Sequence, residues 1–95
     1  MVVKLFIIMA YDMDTTDENY ENNARKVRQI ASRYLNRIQK SVFYGNLSEG
    51  KFKELEMQIR TSIKNSNDKI VFYVFEDNVK YIVIKINHNE DEIIL

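Results

Sequence analysis

An α+β sandwich, an antiparallel sheet with two helices on one face, is the fold class this sequence predicts. Three observations carry it: a nearly unbroken apolar run from Val2 to Ala10, two stretches of helical apolar spacing around an alternating segment, and two apolar runs after Asp68. The chain has 95 residues, which suits a single domain over 1–95 with a core of about 1–86 and a tail over 87–95.

Val2 to Ala10 has the pattern of a strand covered on at least one face. The polar loop from Asp12 to Asn19 offers helix caps in Thr15, Thr16, Asp17 and Asn19. Tyr20, Ala24, Val27, Ile30, Ala31 and Tyr34 then recur at three- and four-residue spacing, so that one stripe of a helix packs on the sheet. From Asn36 to Leu47 the sequence alternates, with Ile38, Val42 and Tyr44 on one parity and Arg37, Gln39, Ser41 and Phe43 on the other. Either one bent strand or two short ones with a break near Gln39 and Lys40 fits that pattern. Ser48 is placed to cap a second helix whose stripe is Phe52, Leu55, Ile59 and Ile63, ending near Asn65 to Asp68. Ile70 to Phe75 and Val79 to Ile86 read as a hairpin across Asp77 and Asn78. This order is that of a ferredoxin-like βαββαβ sandwich with an additional C-terminal strand. Such a sheet leaves one face uncovered. A second copy is its simplest cover, so a homodimer is expected.

Composition narrows the chemistry. With no cysteine there is no disulfide framework, thiolate zinc site or cysteine nucleophile. The first ten residues contain Lys4 and lack a basic leader and cleavage site, and no run approaches the roughly twenty apolar residues of a membrane span. A soluble, cytoplasmic protein that engages no membrane is expected. Fourteen basic and fourteen acidic side chains cancel, yet they are segregated. Asp12, Asp14, Asp17, Glu18 and Glu21 crowd one stretch, and Arg25, Lys26, Arg28, Arg33, Arg37 and Lys40 follow without an acid among them. Carboxylates for a cation beside guanidinium groups for phosphate suit a phosphodiester site, against the alternative of a solvated helix face that serves no ligand. On the helical wheel Lys26 and Arg33 flank the apolar stripe while Arg25 and Arg28 point elsewhere, so not all of these groups share one ligand.

Two stretches carry a family likeness: the strand end Ala10, Tyr11, Asp12, and the run Asn36, Arg37, Ile38, Gln39, Lys40, Ser41, Val42, Phe43, Tyr44, Gly45, Asn46, Leu47, closing on Phe52, Lys53, Glu54 and Leu55. In order and spacing they resemble the Cas-Two family. The resemblance implies a CRISPR-associated protein of the adaptation stage, working with the Cas-One integrase in spacer acquisition. It implies either a metal-dependent endonuclease, acting on RNA or double-stranded DNA, or a non-catalytic dimeric scaffold that holds DNA between integrase dimers. A ribonuclease toxin on a related ferredoxin-like fold is a remoter reading. The chain departs from the family in its acidic, asparagine-rich Asp14 to Asn23, in Tyr44 where an acid is frequent, and in Asn36 where a small residue is frequent.

On this reading Asp12 is the metal ligand and catalytic carboxylate, for magnesium or manganese, with a second copy bringing another Asp12 across the two-fold axis. Asp14 is a weaker second ligand. Arg37 is the catalytic basic residue on the phosphate. Tyr11 is a candidate for bonding a phosphate or leaving group, against half-buried packing. Nucleic acid binding is expected from Arg25, Lys26, Arg28, Arg33, Arg37 and Lys40, with Phe43 stacking on a base or packing in the dimer. Ser41 has no base partner for nucleophilic chemistry, and His88, in a polar tail, is no general base.

Overall fold

The computed structural model describes residues 4–76 and 80–87. Its elements are β1 (Lys4–Asp12), α1 (Tyr20–Ser32), β2 (Asn36–Gln39), β3 (Val42–Ser48), α2 (Glu49–Ser62) and β4 (Lys69–Phe75). The alternating segment is thus two strands, joined by a turn at Lys40 and Ser41, with a register shift between Arg37 and Gln39. β1 begins within the expected apolar run, whose residues 1–3 lie outside the described ones, and extends two residues past Ala10. The sheet order is β2-β3-β1-β4, antiparallel throughout, as in the expected ferredoxin-like fold.

Alternation along β1 divides the molecule. Leu5, Ile7, Met9 and Tyr11 are buried on the side of the helices, where they meet Ala24, Val27 and Ala31 of α1 and Leu55 and Ile59 of α2. Register carries the same face to Phe43 and Leu47 of β3 and to Ile70 and Phe72 of β4. Phe6, Ile8, Ala10 and Asp12 point to the opposite, helix-free face, together with Tyr44, Asn46, Val71, Tyr73 and Phe75. Ser48 caps α2 by accepting the Lys51 amide, whereas Asn19 at the start of α1 makes no side-chain cap bond. Gly45 sits at a close approach: a Cβ there would lie 3.2 Å from Leu35 Cδ2, which would have to give by a few tenths of an ångström, where the chain returns from α1 to the sheet.

Among the described residues, the additional C-terminal strand is not formed. Lys80–Ile86 pairs with no strand, and the expected turn at Asp77 and Asn78, with Val79, lies outside the described residues. The reason lies in where the segment runs. Tyr81 stacks on Phe6 with ring centroids 3.6 Å apart, and its hydroxyl accepts a hydrogen bond from Asn46 Nδ2 at 2.8 Å. Lys85 Nζ stands 6.0 Å from the Tyr44 ring centre. These partners belong to β1 and β3, on the far side of β4 from its free edge, so the segment crosses the open face instead of extending the sheet. Ile82, Ile84 and Ile86 are left exposed. The tail expected over 87–95, His88 included, lies outside the described residues from 88 onward.

The layer between sheet and helices sets the stability. Leu55→Ala, which empties a fully buried position, is expected to lower the unfolding free energy by about 2–5 kcal/mol. Ile82→Ala on the exposed segment is expected to change it by under about 0.5 kcal/mol. Urea denaturation measures both, and equal losses would contradict the placement of the core.

Candidate functional site

Consecutive residues at the end of β1 point to opposite faces, so Tyr11 and Asp12 do not share a site within one chain. Tyr11 faces the helices, is buried, and donates its hydroxyl proton to the Lys40 carbonyl at 2.8 Å. Burial pushes its pKa up, opposed by the nearby charges of Arg28 and Arg37. With its hydroxyl committed to the β2–β3 turn, Tyr11 packs and clamps here, the half-buried alternative to bonding a phosphate. Phe43 lies in the same layer. It is fully buried, pairs in register with Met9 and stacks on Tyr11 at 6.3 Å between centroids, so no base reaches it without opening the core.

Asp12 is exposed on the helix-free face, opposite Lys69 in the β1–β4 register. Among the described residues its carboxylate accepts no hydrogen bond and forms no ion pair. No three His, Cys, Asp or Glu side chains group into a metal cage among those residues. One unengaged carboxylate fits magnesium, which keeps most of its waters and takes one or two carboxylates plus phosphate oxygens. It does not fit a caged metal such as structural zinc.

The basic residues gather on the other side. Arg25 and Arg28 of α1 and Arg33 at its C-cap line one open depression with Arg37 of β2, Gln29 and Ser32. Arg25 and Arg28, expected to point away from Arg33, join it because an arc of about 140° around α1 and its C-cap spans all three, and the turn into β2 adds Arg37. Lys26 stands over a neighbouring groove between the helices, with Ile30, Gln58 and Thr61, which Arg33 also borders. Arg33 Nη1 donates to Gln58 Oε1 at 3.1 Å, and Arg25 Nη2 donates to Asn22 Oδ1 at 2.6 Å. Arg37 is partly committed, because Nε donates to the Gln39 carbonyl and Nη2 to that of Lys40. Lys40 is exposed on the turn and borders neither depression. All three ion pairs among the described residues lie within α2 (Lys51–Glu54, Lys53–Glu49, Arg60–Glu56), so none neutralises the α1 arginines.

The acids after Asp12 are engaged with one another's loops. Asp14 Oδ1 accepts from the Thr16 amide and hydroxyl, and Asn65 Nδ2 donates to both Asp14 Oδ2 and Asp17 Oδ2 at 3.0 and 2.9 Å. Asp14 is therefore a structural acceptor rather than a second metal ligand poised beside Asp12. Sequence reasoning missed its partner Asp68, which is buried and accepts the Asp14 amide at 2.8 Å. The sequence signal was the polar cluster Asn65 to Asp68, read only as a helix end.

Comparison with known proteins bears on this arrangement. A family profile described as "CRISPR associated protein Cas2" matches residues 5–81. The "CRISPR-associated endoribonuclease Cas2" of Dictyoglomus turgidum is 32% identical over 94 residues, covering 96% of this chain and 100% of that protein. The protein of the same name from Thermotoga maritima is 33% identical over 72 residues, 76% of each chain. A solved structure described as "Crystal structure of cas2" superimposes with a TM-score of 0.68 at 28% identity, covering 85% of this chain and 86% of that one. Streptococcus pyogenes Cas2 gives 0.67 at 23% identity, over 82% and 99%, a likeness of fold.

The loop network has a pH signature. Hydrogen bonds from the Thr16 hydroxyl and amide, and then from Asn65, hold the Asp14 carboxyl below its usual 3.8. A depressed folded-state pKa contributes stability above the unfolded value and loses it as pH falls through the folded one. The stability advantage of the native chain over Asp14→Asn is therefore expected at neutral pH and to shrink below about pH 4. Denaturation at stepped pH measures it, and a gap that widens in acid would contradict the network.

Proposed function

Because the chain belongs to the CRISPR-associated Cas2 family, we propose that it is a homodimeric, metal-dependent endoribonuclease of the adaptation module, working in the cytoplasm with the Cas-One integrase. The observation that carries this reading is Asp12: an unengaged carboxylate at a strand end, on the open face. That face exposes Val71, Tyr73 and Phe75, and the crossing segment adds Ile82, Ile84 and Ile86. An apolar surface of this kind calls for a partner, and an isologous dimer through it brings the partner subunit's Asp12 toward the same two-fold axis. Asp12 would hold magnesium, or manganese in its place; such an ion neutralises charge on phosphate oxygens and lowers the pKa of its bound water. The names of the relatives favour RNA over double-stranded DNA as the substrate.

The chain's own residues divide the remaining work. Arg25, Arg28 and Arg33 offer guanidinium forks to the phosphate backbone, and Arg37 adds the donors left over from its turn contacts. Lys26 extends the positive surface along the groove between the helices, and Lys40 adds a charge at the β2–β3 turn. Neutralising phosphates this way gives affinity without sequence preference.

A second reading has its own support. The arginine depression lies on the helix side of the sheet, and Asp12 on the other. A duplex gripped at the depression does not meet Asp12 of the same chain, which suits a scaffold that holds DNA for the integrase.

Asp12→Asn separates the two readings. For an endoribonuclease, cleavage is expected to fall roughly 10²-fold or more while dimerisation and RNA affinity persist. A wild-type protein free of contaminating nuclease that cleaves no RNA across a range of pH, magnesium and manganese would sink the enzyme reading and leave the scaffold. Arg33→Ala or Arg28→Ala is expected to reduce the slope of log affinity against log salt by about 0.7 on single strands, and unchanged slopes would remove these residues from the binding surface.

A further inference from the structure

Asp68 is more than nine-tenths buried, and only one of its two carboxylate oxygens has a protein partner. Oδ1 accepts the Asp14 amide at 2.8 Å; Oδ2 is buried without a hydrogen bond among the described residues. A half-satisfied buried carboxylate is costly, so its retention calls for an explanation. The register accounts for the bonded oxygen, Oδ1. β1 and β4 pair through Asp12 and Lys69, and the next pair in that register would be Met13 with Asp68. The ladder stops there, and the Asp68 side chain takes over as the acceptor for the first amide beyond Met13.

The same loop holds its neighbours. The Asp68 amide donates to the Asn65 carbonyl at 3.0 Å, and the Asn65 side chain bridges the carboxylates of Asp14 and Asp17. The loop between α2 and β4 therefore grips the loop between β1 and α1 immediately past Asp12. Met13 is seated in the core, so the exit from β1 is held at Met13 by packing and at Asp14 by this grip; losing the grip would leave packing alone to hold the strand end at Asp12.

Resting on the reading of Asp12 as metal ligand, we propose that Asp68 is a positioning residue: its buried carboxylate anchors the Asp14 amide and so holds the Asp12 carboxylate in place for a divalent cation. It touches neither metal nor substrate and acts through the backbone of residues 12–14. Partners bonded directly to a metal ligand are worth about 10–100-fold in metal affinity, and a residue acting through the backbone is expected at the lower end of that range.

Two measurements on the full-length chain test it, hydrogen exchange at the Asp14 amide and Mn²⁺ binding followed by electron paramagnetic resonance. Asp68→Ala is expected to speed exchange at Asp14 by about tenfold or more and to raise the Mn²⁺ dissociation constant by about tenfold. Asp68→Asn keeps an acceptor oxygen for the amide and is expected to stay close to wild type in both. Should circular dichroism show Asp68→Ala unfolded, Asp68→Leu, which fills the volume without an acceptor, takes its place with the same expectation. The proposal is overturned if exchange at Asp14 is unchanged, or if Mn²⁺ binding is lost in Asp12→Asn but unaffected by Asp68→Ala. It is also overturned if Asp68→Asn is as impaired as Asp68→Ala. If Asp12→Asn binds Mn²⁺ like wild type, the metal reading of Asp12 fails instead, and exchange at Asp14 alone decides whether Asp68 is the anchor.

Discussion

Everything functional in this protein follows from the alternation of β1, which lies between β3 and β4 and is bonded on both edges. Because side chains on a strand point to alternate faces, burying Ile7, Met9 and Tyr11 beneath the helices obliges Phe6, Ile8 and Asp12 to point away from them. A slip of one residue would bury Asp12 and expose Tyr11. The core thus fixes the address of the carboxylate, and the position at the strand end keeps it within reach of solvent and ligand.

The two faces then develop different chemistry. On the helix side, α1 presents arginines that no acid neutralises among the described residues, while the cations of α2 are paired along their own helix. Surface pairs of that kind contribute little to stability, so the contrast lies in which charges remain available to a polyanion. On the open face, aromatic contacts centre on Phe6, which lies against Tyr44, Phe75 and Tyr81. The apolar residues left over around this cluster give the face the character of an interface rather than of a solvated surface.

Much of the fold was legible because it rests on periodicity. The helical stripes of α1 and α2, the Ser48 cap and the break after Gln39 all follow from spacing or from a local polar group. What periodicity cannot give is which parity faces the helices. Phe43 shares its parity with Arg37, and only the pairing with Met9 shows that this side is the core for one and the rim for the other. Alternation at Ile82, Ile84 and Ile86 suggested a strand, but a strand needs a free partner edge, and Tyr81 docks on Phe6 across the sheet from that edge. Asp12 was legible from its place in a motif. The tie from Asp68 joins residues 54 positions apart and was not.

The central claim is that the open face, with Asp12 at its margin, is where two copies meet and where a metal is held. Manganese anomalous diffraction from crystals grown with Mn²⁺ tests it most directly. The account predicts a dimer joined through the open sheet faces, with an anomalous peak at roughly 2 Å from an Asp12 carboxylate oxygen. A dimer joined through the helices, or manganese seated instead among Asp14, Asp17 and Asp68, would contradict it.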